Sequence, residues 1–281
     1  MRGAAAARPG CGTSGSVHCV PNAFFEPAGT HSFVATPAAA GPWSPQSQHG
    51  GPPSALAARA MQRHEPDPGQ RLARVAVDIL RPVPVAKVTL TTRTVRPGRR
   101  VALLETVMEA DGQEVLHARG WRIAMPGKPV PAVPAAGAGP PPPIPAERHA
   151  PDFPGAHMSG YLEAIDWRYV AGIGFEILGP AVVWARPTIP LIPDEETSPL
   201  CRALLIADSG SGVSATLDAR KFLFINVDLT VVLTRDPDGE WVLLDAATTI
   251  GEQGTGLAET KISDTRGPCG SATQTLLVAP R

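Results

Sequence analysis

The sequence predicts an α+β protein built from two antiparallel curved sheets, each wrapped around one central helix. Three observations carry this expectation. The second half of the chain repeats the first at a constant offset of 154 residues. Each half has one apolar helix followed by a run of strand-like segments. A proline-dense segment separates the halves near the middle of the chain.

Residues 1–21 are expected to be a disordered extension. Its run of four alanines between two arginines is too short for a secretory signal. "GCGTSG" (10–15) fits a dinucleotide fingerprint in its letters alone, since it follows no strand and opens no helix. Cys11, Cys19 and His18 are too few ligands for zinc, so no metal or other cofactor is expected. Cys11, Cys19, Cys201 and Cys269 are four scattered cysteines and make no disulfide framework. A chain of 281 residues, 43% hydrophobic, has ample material for a core. A net charge of −1 argues against nucleic acid or an anionic membrane as partner. No apolar run reaches the roughly 18 residues of a membrane span, so no membrane insertion and a cytoplasmic location are expected.

The first helix opens in "WSPQSQHGGPPSALAARAM" (43–61). Pro52 and Pro53 lack N–H groups and suit a first helical turn. Leu56, Ala57, Ala60 and Met61 recur at the helical period. Gly50 and Gly51 leave room for a ligand to approach the N–H groups at the helix start. "LLETVMEA–DGQ–EVLHARGWRIA" then reads as strand, turn, strand. Of the twenty residues from Pro126 to Pro145, nine are proline, which makes residues 126–150 a semi-rigid linker.

The second half restates the first without gaps from 102–124 to 256–278. Leu103 meets Leu257, Glu105 meets Glu259, Thr106 meets Thr260, Ala118 meets Ala272 and Arg81 meets Arg235. Such regular self-similarity indicates a duplication, and two such units could pair edge to edge and so remove exposed sheet edges.

"GPWSPQSQHGGPPSALAARAM", "FINVDLTVVLTRDPDGEWVLLDAAT" and "GTGLAETKISDTRGPCGSATQTLLV" together resemble the hotdog-fold thioesterases, and within them the double-hotdog acyl-CoA thioesterase II type. The resemblance implies a first hotdog domain over 22–125, a second over 151–281, and hydrolysis of an acyl thioester of CoA or of an acyl carrier protein. It is also compatible with a homodimer.

The halves differ where chemistry would sit. Ten residues beyond His49 stands Arg59, whereas ten beyond Ser198 stands Asp208. In single-hotdog relatives with an HGG motif, the helix acid of one subunit works with a glycine N–H of its partner. Carried into one polypeptide, this implies one surviving composite site: Gly51, with Gly50 and His49, at the oxyanion end, and Asp208 as the base. A donor at a helix N-terminus stabilises a developing oxyanion, and a partly desolvated carboxylate can take a proton from water. The family's Asp, Thr and Gln fall on Asp208, Asn226 and Gln274, the last facing Gly120 in the other half. Asn226 departs from the family's hydroxyl, which makes Thr230, four residues along the same strand, the fallback.

Other readings leave the same residues different work. Asp208 could be merely a helix-end acid in a turn, Asn226 could cap a turn before its strand, Gln274 could be an outward strand residue, His49 could serve only its loop, and Gly50 and Gly51 could serve close packing. A Ser–His–Asp hydrolase is disfavoured, because no G-x-S-x-G occurs and no His lies beyond His157. A hotdog hydratase or dehydratase would call for a second His near the acid. A binding protein for acyl-CoA or an acyl carrier, weak or inactive in catalysis, is the alternative from a different functional class.

Overall fold

The protein is described by a computed structural model over residues 21–133, 139–149, 157–174 and 176–281. The extension through Val20, with Cys11, Cys19 and "GCGTSG", lies outside the described residues, as does part of the linker. In the first half, β1 (Phe25–Pro27), β2 (Ser32–Ala35), β3 (Ala40–Gly41) and β4 (Ser44–Gln48) precede α1 (Gly51–Arg63). Then come β5 (Gln70–Ile79), β6 (Lys87–Arg96), β7 (Val101–Ala110) and β8 (Gln113–Ala124). In the second half, β9 (Ile165–Ile173) and β10 (Ile177–Pro187) precede α2 (Pro199–Ala207) and the short α3 (Gly210–Val213). β11 (Phe222–Asn226), β12 (Asp228–Leu233), β13 (Val242–Ile250), β14 (Thr255–Asp264) and β15 (Gly267–Pro280) complete the chain. β7 and β14 begin and end 154 residues apart, and so do the starts of β8 and β15.

The expectation of two sheets is corrected. The described strands other than β3 and β4 form one antiparallel sheet of thirteen, in the order β1-β2-β6-β7-β8-β5-β12-β15-β14-β13-β10-β9, with β11 also on β15. The joint is the β5–β12 pair, which aligns Val77 with Leu229 and Val75 with Val231. The reason is edge chemistry. Each half would otherwise present a row of unpaired N–H and C=O groups beside a largely apolar inner face. Pairing satisfies both rows, and Val75, Val77, Leu229 and Val231 are buried behind it.

Two helices lie side by side against the inner face, α1 over β5 to β8 and α2 over β10, β13 and β14. α1 is buried nearly all round, because the sheet covers one side and α2 the other. Two arrangements hold it in place. The buried Arg122 guanidinium caps its C-terminus by donating to Met61 O (2.6 Å), His64 O (2.6 Å) and Glu65 O (2.8 Å), a favourable place for a cation. Gly51 lets the backbones meet, since a Cβ there would lie well inside contact distance of Leu205 O on α2. Among the described residues, no helix is long and apolar enough to cross a membrane.

Candidate active site

Asp208 is the C-cap of α2. This helix end abuts the start of α1, so a carboxylate from the second half meets the glycines of the first. Its side chain is 2% exposed. Oδ1 accepts from Asn226 Nδ2 at 2.8 Å and from Gln274 Nε2 at 3.3 Å, and Oδ2 lies 3.0 Å from His49 Nδ1. Gly50 packs directly on it, where a Cβ would stand 2.7 Å from Oδ2 and 2.8 Å from Oδ1. Asp208, Asn226, Gln274, His49 and Gly50 therefore form one contiguous group drawn from both halves.

His49 Nδ1 also lies 3.2 Å from the Gly51 N–H, and one ring nitrogen cannot serve both neighbours. A hydrogen on Nδ1 donates to the carboxylate and frees the Gly51 N–H. A bare Nδ1 accepts from Gly51 but sets its lone pair against an anion. The contact with the carboxylate is charge-assisted and the shorter of the two, 3.0 against 3.2 Å, which favours the Nδ1–H tautomer. Burial holds the imidazole below its ordinary pKa, with the Asp208 charge pulling the other way. The ring is therefore neutral near pH 7. It is stacked on Tyr161 at 3.7 Å and 5°. The Tyr161 hydroxyl donates to Leu205 O at 2.8 Å and pairs with Ser209 Oγ at 2.8 Å, and burial pushes this phenol above its ordinary range.

Gln274 is inward and 1% exposed. Besides Asp208 Oδ1, its amide takes Asp208 O (2.9 Å) as acceptor and the Ser211 N–H (2.9 Å) as donor. It thus clamps the turn that presents the carboxylate. Asn226 also donates to Asp228 O at 3.1 Å.

Thr230 is not brought to the site, and the fallback is corrected. Asn226 pairs with Leu276 of β15, but Thr230 pairs with Thr273, a shift of one residue across Val227. That irregularity reverses the side-chain alternation, as a bulge does. Phe224 and Leu229, on either side of it, both face inward, and Thr230 turns away. Gly51 needs a narrower correction. Gly50 lines the cavity above Asp208 and Gly51 does not, because Gly51 is pressed against α2. Among the described residues the Gly50 N–H has no acceptor.

The mirrored location in the first half is closed. At the 154-residue offset Asn226 and Gln274 fall on Leu72 and Gly120, and Arg59 stands ten residues past His49 as Asp208 stands ten past Ser198. A Cβ on Gly120 would stand 2.6 Å from Met61 Sδ and 2.7 Å from Leu72 Cδ2, so those two side chains fill the space. Arg59 makes a two-pronged pair with Glu195, at 2.7 and 2.6 Å.

Above Asp208 opens a cavity of about 350 Å³, within the usual size of small-molecule sites. Its wall is mostly apolar, with Trp167, Leu162, Val83 and an edge-to-face Trp43–Phe224 pair at 5.8 Å and 89°. Tyr161 and these aromatic walls escaped the sequence reading, because no spacing tied them to the acid.

Residues 39–123 match the profile of the acyl-CoA thioesterase N-terminal domain, and residues 139–278 that of the acyl-CoA thioesterase C-terminal domain. No curated protein matches the chain. Among solved structures, an acyl-CoA thioesterase II (TesB2) from Mycobacterium marinum is similar at TM-score 0.61 and 17% identity, covering 92% of this chain and 95% of that one. The tesB protein of Mycobacterium avium subspecies paratuberculosis is similar at 0.63 and 17%, covering 91% and 96%. A hot dog fold protein of unknown function from Alicyclobacillus acidocaldarius is similar at 0.68 and 19%, covering 90% and 94%. At such identities the likeness is one of fold.

Proposed function

Since the chain belongs to the acyl-CoA thioesterase family, we propose that it hydrolyses an acyl-CoA thioester with water activated by Asp208. The observation that carries this is the meeting of a buried carboxylate from one half with the glycine-led helix start of the other, at the floor of an apolar cavity. Residues 22–125 and 151–281 then act as two hotdog units joined by the 126–150 linker, with one working site between them.

In this reading the acyl chain lies along the aromatic wall and the thioester carbonyl sits over Gly50. A water between the carbonyl carbon and Asp208 loses a proton to the carboxylate as its oxygen bonds to carbon. The carbonyl oxygen becomes negative and accepts from the Gly50 N–H. The Gly51 N–H, released by the Nδ1–H tautomer of His49, adds to the positive field of the helix start. The tetrahedral intermediate then collapses, the C–S bond breaks, and the thiolate recovers the proton from Asp208. Asn226 and Gln274 hold Oδ1, which leaves Oδ2 and His49 to face the water. Asn226 takes this position in place of a hydroxyl because its amide both reaches the acid and anchors to Asp228 O.

The test is free-thiol release from acyl-CoAs running from acetyl to palmitoyl, plus one aryl-CoA, with Asp208→Asn in parallel. Loss of a general base typically costs about 10²–10⁴-fold, and a fall of that size is expected in kcat. Turnover that survives in the variant would remove Asp208 as the base. Binding without turnover on every member would favour the acyl-binding reading.

A further inference from the structure

The two halves carry the same arginine at the same repeat position but use it differently. Arg235 is bound to Asp264 through both terminal nitrogens, with Nη2 to Oδ1 at 2.7 Å. Asp264 is fully buried and also accepts from the N–H groups of Asp238 (2.6 Å) and Arg266 (2.8 Å). The 154-residue offset leads from Asp264 to Ala110 and from Asp238 to Pro84. The first half therefore has neither the carboxylate nor one of the N–H groups that fixed it.

Arg81 is left over. It is exposed, has no ion-pair partner among the described residues, and lines the cavity above Asp208. Beside it in the wall stand Leu80 and Val227, 48% and 46% exposed, which mark this as the mouth rather than the floor. Apart from His49, Arg81 is the one basic side chain in the wall among the described residues. At Trp43, also part of the wall, the Arg281 guanidinium lies 5.7 Å from the ring centroid. The cavity thus has a mostly apolar wall, a buried carboxylate and, among the described residues, a single arginine, which stands at its mouth.

We propose that Arg81 binds a phosphate of the thiol carrier while the acyl group occupies the cavity. The inference rests on the thioester reading of the site. An acyl chain directed inward leaves its carrier arm leaving through the mouth, and the arms of CoA and of acyl carrier proteins both bear phosphate. A planar guanidinium without a competing carboxylate is well suited to grip it.

Calorimetry with CoA, dephospho-CoA, 4′-phosphopantetheine and phosphate-free pantetheine, on the full chain and on Arg81→Ala and Arg81→Lys, tests this without requiring turnover. The alanine variant is expected to bind CoA at least about tenfold more weakly, the size of one lost charge-assisted contact. The lysine variant should keep most of the affinity, and pantetheine should bind all three proteins alike. An effect shared by 4′-phosphopantetheine assigns Arg81 to the phosphate common to both carriers. An effect confined to CoA assigns it to the nucleotide end. Either supports the site. Equal CoA binding by all three proteins, or an equal loss for pantetheine, overturns it. A wild type that hydrolyses no thioester would defeat the hydrolase reading and leave the calorimetric result to decide the phosphate site. Where turnover is present, the ratio of kcat/KM on an acyl-CoA to that on its pantetheine ester should fall about tenfold in Arg81→Ala, through KM.

Discussion

Gly50 and Gly51 are adjacent, yet a single methyl group should do different damage at each. At Gly50 it would stand 2.7 Å from Asp208 Oδ2, whereas ordinary contacts begin near 3.4 Å. The obstacle is a carboxylate at the end of a side chain, so Asp208 can retreat by the difference, about 0.7 Å. That retreat stretches the 2.8 Å bond from Asn226 and the 3.0 Å contact with His49 toward the limit of hydrogen bonding. A misplacement approaching 1 Å costs up to about 10²-fold in rate, so Gly50→Ala should lose about 10- to 100-fold in kcat. At Gly51 the obstacle is the Leu205 carbonyl, a backbone group inside a helix, which cannot retreat alone. The helices must separate, at about 1–3 kcal/mol for such overpacking. For a chain of this size that lowers Tm by about 2–4 °C per kcal/mol. Thermal unfolding followed by circular dichroism, together with steady-state thiol release, separates the two cases. Wild-type kcat in Gly50→Ala, or equal Tm losses in both variants, would show that the glycines serve packing alone.

Three further outcomes follow from the same geometry. Asn226→Ala should lower kcat about tenfold or more by freeing Oδ1 of a charge-assisted donor, whereas Thr230→Val, on the outer face, should leave kcat within about twofold. Burial holds His49 below its unfolded pKa of 6.5, so its contribution to stability is complete above that pH and is lost as pH falls below it. The paired carboxylates Glu105, Asp166 and Asp264 are held below their ordinary values of 3.8 to 4.5, so their contributions persist to lower pH. Between pH 6.5 and 5, Tm should therefore fall in the wild type and stay flatter in His49→Phe, which keeps the stack on Tyr161. A wild-type Tm that does not change across that window would refute the burial of a neutral imidazole. Arg235→Met should destabilise by about 3 kcal/mol, read from urea unfolding, because it strands the buried Asp264 carboxylate; a loss under about 1 kcal/mol would mean that the two N–H donors suffice.

Much of this protein could be read from local pattern. Glycine, proline and helical periodicity marked α1, and alternation with turn residues marked β7, β8, β14 and β15. The constant offset exposed the duplication, and the asymmetry between Arg59 and Asp208 pointed to one candidate site. These signals are short-range or repetitive, so they survive in a linear string. What only the tertiary structure decided depends on contacts between distant segments. The halves merged into one sheet because unpaired edges at β5 and β12 found each other. Asn226 rather than Thr230 reached the acid because a one-residue shift against β15 turned the strand over. Gly50 rather than Gly51 faces the cavity because Gly51 is pressed against the backbone of α2. Arg81 stands at the mouth without an ion-pair partner among the described residues because its repeat mate has Asp264 to bind and it has Ala110. Register, close approach and the presence of a partner are properties of pairs of segments, and no single stretch of sequence encodes them alone.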